Sequence, residues 1–79
     1  MDGQALRLLI RRRLAAGVLP TGRMMRAWQG LGNRTLCHAC AEVLAWDDGM
    51  VEGFTAMGAV MRFHTGCFEL WDDERHMFR

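Results

Sequence analysis

Four side chains in this sequence could together bind a metal ion. Three are cysteines and one is a histidine, at Cys37, Cys40, His64 and Cys67. They form two pairs with the same spacing, C-x2-C and H-x2-C, separated by residues 41–63. Such spacing lets both members of a pair point at one metal, and sulfur with imidazole nitrogen is a donor set that suits tetrahedral zinc. The pattern predicts one zinc site with its three sulfur atoms about 3.8 Å apart.

The predicted site has the composition of a structural rather than a catalytic zinc. Three Cys and one His fill all four positions, whereas a catalytic zinc keeps one position open for water or substrate. The sequence also contains no Ser, Lys or Tyr. That removes a serine nucleophile, a Schiff-base lysine and a tyrosine acid. We therefore expect a protein that is not an enzyme and has no small-molecule substrate.

Other interpretations of the same residues remain open. Cys37 and Cys40 could form a thioredoxin-like redox pair, although no βαβ pattern surrounds them. The three cysteines could instead be small buried core residues. His38 lies inside the C-x2-C turn and could replace His64 as a ligand. His76, near the end of the sequence, has the character of a solvated helix residue.

The length of the chain and its number of cysteines limit the classes of protein to which it can belong. A chain of 79 residues fits one domain, which we divide into an Arg-rich helical segment (1–35) and a zinc module (36–79). So short a chain buries only about 60% of its unfolded surface, and a metal is a common additional stabiliser. Three cysteines cannot all pair, and we find neither a signal peptide nor a membrane span. We therefore expect a cytoplasmic protein.

The elements that must position the ligands follow from periodicity and turn residues. Apolar residues at spacings of three and four predict an amphipathic helix that ends near Gly17. The turn Asp47-Asp48-Gly49 precedes alternating segments typical of strands. In chain order we predict a helix over 4–16, a loop with at most one helical turn over 21–36, strands over 50–56 and 60–64, and a helix over 66–77.

The ligand segments resemble the treble-clef group of zinc domains. CHAC at 37–40 and HTGC at 64–67 are similar in spacing to the first zinc module of LIM domains. The segment RFHTGCFELWDDER also resembles small bacterial zinc-finger proteins of unknown function, which carry an Arg-rich amphipathic helix before the zinc module. The resemblance covers about residues 36–77. It implies a small zinc-stabilised α+β fold with a knuckle, a short β-hairpin and a C-terminal helix, the four ligands being those named above.

Charge is distributed unevenly along the chain. Residues 1–36 hold seven Arg and one acid, whereas residues 37–79 hold three Arg and eight acids. The two halves could face each other and partly neutralise, or the first half could offer a basic face to an anionic partner. The basic residues that could contact nucleic acid are Arg7, Arg11, Arg12, Arg13, Arg23, Arg26 and Arg34.

Together these observations predict a small zinc-binding module that acts as a protein-binding or regulatory adaptor. The alternatives are a nucleic-acid-binding protein that uses the Arg-rich helix and a thiol redox protein that uses Cys37 and Cys40. Trp28, Trp46 and Trp71 could supply a partner surface, although we expect the last two to pack in the core.

Overall fold

The fold is α+β, as predicted. The computed structural model describes residues 3–78. Neither helix in that range has the length and apolar character that crossing a membrane requires. The strands form one antiparallel sheet in the order β1-β2-β3. The elements are α1 (Gly3–Ala15), β1 (Arg26–Leu31), β2 (Gly49–Phe54), β3 (Val60–His64) and α2 (Thr65–Met77).

The first helix, α1, lies close to its predicted bounds and packs against α2. Its apolar stripe buries Ile10 and Leu14 completely or nearly so. Gly17 follows the helix with φ +77°, a left-handed conformation that glycine adopts without steric cost. The N-terminal segment is therefore docked on the rest of the molecule through its apolar face.

Strand β1 corrects the prediction for residues 21–36, which was a loop with at most one helical turn. Residues Arg26–Leu31 pair with β2 over six positions, from Arg26 opposite Phe54 to Leu31 opposite Gly49. All six residues of β1 are exposed. A strand that buries neither face carries no alternation of apolar and polar residues, so its sequence offers no periodic signal.

The hairpin and the second helix lie close to their predicted positions. Strands β2 and β3 pair antiparallel, with Val51 opposite Phe63. The Thr55 amide donates to the Ala59 carbonyl oxygen at 3.0 Å and closes the connection. Helix α2 begins immediately after β3, so that His64 is both the last strand residue and the residue before the helix.

The core is centred on Trp71 of α2. Its ring stacks on Phe63 with centroids 5.1 Å apart, and its indole N–H donates to the Pro20 carbonyl oxygen at 2.9 Å. The prediction of a core position is confirmed for Trp71 and wrong for Trp46, which is 65% exposed. The buried apolar residues are Ile10, Leu14, Leu19, Cys37, Ala39, Leu44, Met50, Val51, Met61, Phe63, Cys67 and Trp71.

A buried carboxylate joins the two helices. Glu74 of α2 is only 3% exposed and accepts hydrogen bonds from two guanidinium groups of α1. Arg11 Nε lies 2.8 Å from one carboxylate oxygen, and an Arg7 terminal nitrogen lies 3.1 Å from the other. One turn of helix separates these arginines, so both reach the same carboxylate. At this point the basic and acidic halves of the chain do neutralise each other.

Candidate metal centre

The first pair of possible ligands lies in a tight turn, residues 37–40, which we call the knuckle turn. The Ala41 amide donates to the Cys37 carbonyl oxygen, and the Cys37 amide donates to that of Glu42, both at 2.9 Å. Ala41 has φ +63°, a conformation that costs a non-glycine residue about 1–2 kcal/mol. These bonds fold the backbone back on itself and bring both cysteine side chains to one side.

The second pair lies where the sheet meets α2. His64 ends β3, and Cys67 stands in the first turn of the following helix. The direct passage from strand to helix, with no intervening loop, holds the two side chains together. The positive end of the α2 dipole lies at Cys67, where it would stabilise a metal-bound thiolate.

The four donor groups converge on one point. Their donor atoms all lie within 4.8 Å of one another. His64 Nδ1 lies 3.4 Å from Cys40 Sγ and 3.9 Å from Cys67 Sγ, close to the ligand separations of a tetrahedral zinc site. Cys37 and Cys67 are buried, and the other two are partly exposed. These residues could therefore hold a metal ion, and we call them the metal cluster.

The far side of the His64 ring is held by two oxygen atoms. Its Nε2 lies 3.2 Å from the Val43 carbonyl oxygen and 3.3 Å from an Asp48 carboxylate oxygen. The same Asp48 oxygen accepts a hydrogen bond from the Ala45 amide at 2.8 Å. With its proton on Nε2, the ring presents an unprotonated Nδ1 to the cysteines, as a metal ligand requires.

Asp48 was missed as a site residue by sequence reasoning, which assigned it to a turn. The turn does exist, because the Asp48 amide donates to the Ala45 carbonyl oxygen at 3.0 Å. Its contact with His64, however, joins two segments that are distant in sequence. No spacing rule connects an aspartate to a histidine at that separation, so the sequence carried no signal for it.

His38 lies outside the metal cluster and has a different role. Its Nδ1 accepts a hydrogen bond from the Arg62 amide at 2.9 Å, and its own amide donates to the Arg62 carbonyl oxygen at 2.8 Å. Both bonds attach the knuckle turn to the outer side of β3. His38 thus positions Cys37 and Cys40 beside His64 without being part of the donor set.

Electrostatics in the metal-free cluster concentrate negative charge on one sulfur. Hydrogen bonding from Cys67 lowers the pKa of the Cys37 thiol to about 4, although burial opposes this. The hydrogen bond to Cys37, burial and neighbouring negative charge raise the pKa of Cys67. Burial, above all, raises the pKa of Cys40. Burial alone would lower the pKa of His64, but its interactions with Cys37, Val43 and Asp48 together raise it.

Comparisons with known proteins give no assignment. No protein-family model, no curated protein and no solved structure matches this chain. The likeness to treble-clef domains therefore rests on the ligand spacing and on the order of knuckle turn, hairpin and helix. No family is assigned.

The arginines predicted to contact nucleic acid have different surroundings. Arg7 and Arg11 bind Glu74, which leaves less positive charge for an external anion. Arg13 is partly buried, and its Nε has no hydrogen-bond partner among the described residues. Nucleic-acid binding by the chain stays a prediction. Besides Arg11, which is exposed but paired with Glu74, the exposed members of the set are Arg12, Arg23, Arg26 and Arg34.

Proposed function

We propose that the metal cluster binds one zinc ion with a structural role. The observation that carries this proposal is the convergence of three sulfurs and one imidazole nitrogen within 4.8 Å, with the imidazole oriented by Asp48. Four protein donors complete the tetrahedral shell that zinc prefers and leave no position for a reactant. Zinc would supply cross-linking and charge neutralisation rather than chemistry.

The proposed metal would join two parts of the molecule that share few other bonds. The knuckle turn attaches to β3 through the two His38–Arg62 hydrogen bonds and through its buried Ala39. A metal held by both ligand pairs adds a link between this turn and the start of α2. Structural zinc in small domains contributes on the order of 10 kcal/mol of apparent folding free energy. That amount is comparable to the whole stability of a chain this short.

We further propose that the chain is a non-enzymatic module that binds another protein. Its support is a closed donor set together with many large apolar side chains left at the surface. Trp28 is 41% exposed and Trp46 is 65% exposed, and tryptophan is frequent among residues that anchor protein interfaces. The other exposed large apolar residues are Leu8, Val18, Met25, Leu31, Leu36, Val43, Phe54, Met57, Val60 and Met77.

The zinc proposal is tested by native mass spectrometry with elemental analysis on protein purified without chelator or metal-affinity resin. We expect one zinc per chain in the wild type and none in His64→Ala. The matched control is His76→Ala, because His76 is an exposed helix residue outside the cluster. It should retain the metal.

Two results would contradict the proposal. Equal zinc content in the wild type and in His64→Ala would show that His64 is not a zinc ligand. A metal-free protein in which a Cys37–Cys40 disulfide forms and breaks reversibly would favour the redox alternative. Both results are read from the same intact masses, since a disulfide lowers the mass by two hydrogens.

A further inference from the structure

The two edge strands of the sheet, β1 and β3, differ in whether their outward backbone groups are hydrogen-bonded within the molecule. On β3, the Arg62 N–H and C=O point away from β2, and both are bonded by His38 of the knuckle turn. Strand β1 forms the opposite edge. No hydrogen bond within residues 3–78 closes its outer side. The molecule therefore protects one edge of its sheet and leaves the other available.

The register identifies which groups of β1 face outward. The Gly32 amide donates to the Asp48 carbonyl oxygen at 2.9 Å and continues the ladder in which Leu31 faces Gly49. In an antiparallel ladder, bonded and non-bonded pairs alternate. Counting back from Gly32, the N–H and C=O groups of Ala27, Gln29 and Leu31 point away from β2. Together they present a row of three donors and three acceptors.

This edge has few of the features that usually prevent strand addition, since Arg26 is its only charged residue. The pairing of β1 with β2 runs through six consecutive positions, and β1 contains neither Pro nor Lys. Just before it, the Met25 amide also donates to the carbonyl oxygen of Phe54 at 2.8 Å, so any irregularity of the ladder lies at its Arg26 end. Exposed edges without such features are templates for another strand. Trp28 contacts Phe54 edge to face, with centroids 5.4 Å apart, and offers an exposed aromatic surface beside the edge.

We propose that β1 binds an extended, acidic segment of a partner protein as a fourth strand. The proposal rests on the adaptor function proposed above and names the partner's chemistry. The positive charge around β1 favours an acidic partner. Residues 3–41 contain no acid, and exposed Arg23, Arg26 and Arg34 stand before, within and after β1.

The acidic side chains nearest β1 do not cancel the positive charge of the arginines around it. Glu52, opposite Trp28, forms an ion pair with Arg62 at 2.6 Å. Asp48 is held by the Ala45 amide and by His64. Asp47 is exposed close to the Leu31 end, so we place the partner's carboxylates towards Arg26. A second copy of the chain fits less well, because pairing β1 with itself would bring two arginine-bearing strands together.

Gln29→Pro separates this edge from the rest of the fold. Gln29 has its N–H on the outer side, so proline removes a donor that a bound strand needs and keeps the bonds between β1 and β2. Edge strands tolerate proline where the missing N–H faces solvent. The matched control is Gln29→Ala, which keeps the backbone donor. Zinc content and circular dichroism of both variants report whether the fold is intact.

The test selects random linear peptides displayed on phage against the immobilised zinc-loaded chain. We expect enriched peptides to combine acidic residues with alternating apolar ones. A synthetic copy of an enriched peptide should protect the amides of Ala27, Gln29 and Leu31 from hydrogen exchange. Its affinity should fall about tenfold in Gln29→Pro and stay near the wild-type value in Gln29→Ala, as expected for a lost ladder bond and a steric block.

A second variant tests the proposal independently, in case Gln29→Pro does not fold. The double substitution Arg23→Gln and Arg26→Gln leaves the backbone edge unchanged and should also weaken the acidic peptide. Enriched peptides that bind all variants equally would overturn the edge proposal while leaving a binding module in place. Retention of no peptide would overturn both. If sedimentation showed that the wild type is a dimer and that Gln29→Pro is a monomer, the edge of β1 would bind a second copy of the chain. That result would reject an acidic partner.

Discussion

At the scale of single residues, Asp48 contacts a ligand of the proposed site without being a ligand itself. Its carboxylate lies behind His64, while its backbone and side chain both bond to Ala45. This arrangement fixes the imidazole orientation and increases its basicity. Residues in such positions typically influence metal affinity by 10–100-fold.

We therefore expect Asp48→Asn to weaken zinc binding by roughly 10–100-fold with little change in fold. The measurement is competition with a chromogenic zinc chelator. Asp47→Asn is the matched control, because it removes the same charge from the neighbouring exposed position. If both variants lost affinity equally, the effect would be one of general charge and the positioning role would be wrong.

Proton release from the cluster should make zinc affinity strongly pH-dependent. The pKa values of Cys40, Cys67 and His64 lie above their ordinary values in the metal-free protein. Zinc must displace those protons, so affinity should fall as the pH falls. Calorimetry in buffers of different ionisation enthalpy would measure the protons released. No release at neutral pH would contradict the assignment of these donors.

The ligands were predictable from the sequence because each pair is local. Two residues separated by two others meet in a turn or in the first turn of a helix, whatever the rest of the fold does. Asp48 and the exposure of Trp46 were not predictable. Both depend on how the segment between the ligand pairs folds back onto β3, and no local pattern encodes that arrangement.

At the scale of elements, the contact between α1 and α2 depends on Glu74. Its buried carboxylate is bonded by Arg11 and Arg7, which are 59% and 34% exposed. Removing one partner of such a cluster leaves the others desolvated without compensation. The two arginines reach solvent, which moderates that cost.

We expect Glu74→Gln to destabilise the fold by about 2 kcal/mol, measured by urea unfolding. Asp73→Asn is the control on the adjacent residue, whose carboxylate is 63% exposed and 3.7 Å from Arg7. It should change stability by less than about 0.5 kcal/mol. Equal effects of the two substitutions would show that the buried contact contributes nothing specific.

The same carboxylate should affect stability in acid. The hydrogen bond from Arg11, followed by Arg7, lowers the pKa of Glu74 against the opposing effect of burial. A lowered pKa contributes stability that is present above the ordinary carboxyl pKa and is lost as the pH falls through the lowered value. The stability difference between wild type and Glu74→Gln should therefore shrink in acid. A difference that stayed constant would exclude this linkage.

Four of the five elements were predictable because each buries some of its side chains. Helix α1 shows this through Ile10 and Leu14, and β3 through Met61 and Phe63. Strand β1 has no buried face and contains Gly30, so neither periodicity nor propensity marked it. Its pairing with β2 is a backbone interaction, which side-chain patterns do not report.

At the scale of the whole molecule, the proposed zinc joins the knuckle turn to the junction of sheet and helix. We expect chelation to lower the melting temperature strongly and to expose the amides of residues 37–67 to hydrogen exchange before those of α1. Adding zinc back should restore both properties. Unchanged melting after verified metal removal would show that packing alone stabilises this fold.

Loss of the metal would also change how the molecule behaves in concentrated solution. His38 covers the outer side of β3 only while the knuckle turn is held in place. Once the turn detaches, a sheet with both edges open can join the next copy at either side and grow without limit. Chelated protein should therefore scatter light and form β-rich aggregates over time. Under the proposed zinc assignment, the bound metal would prevent this aggregation as well as stabilise the fold.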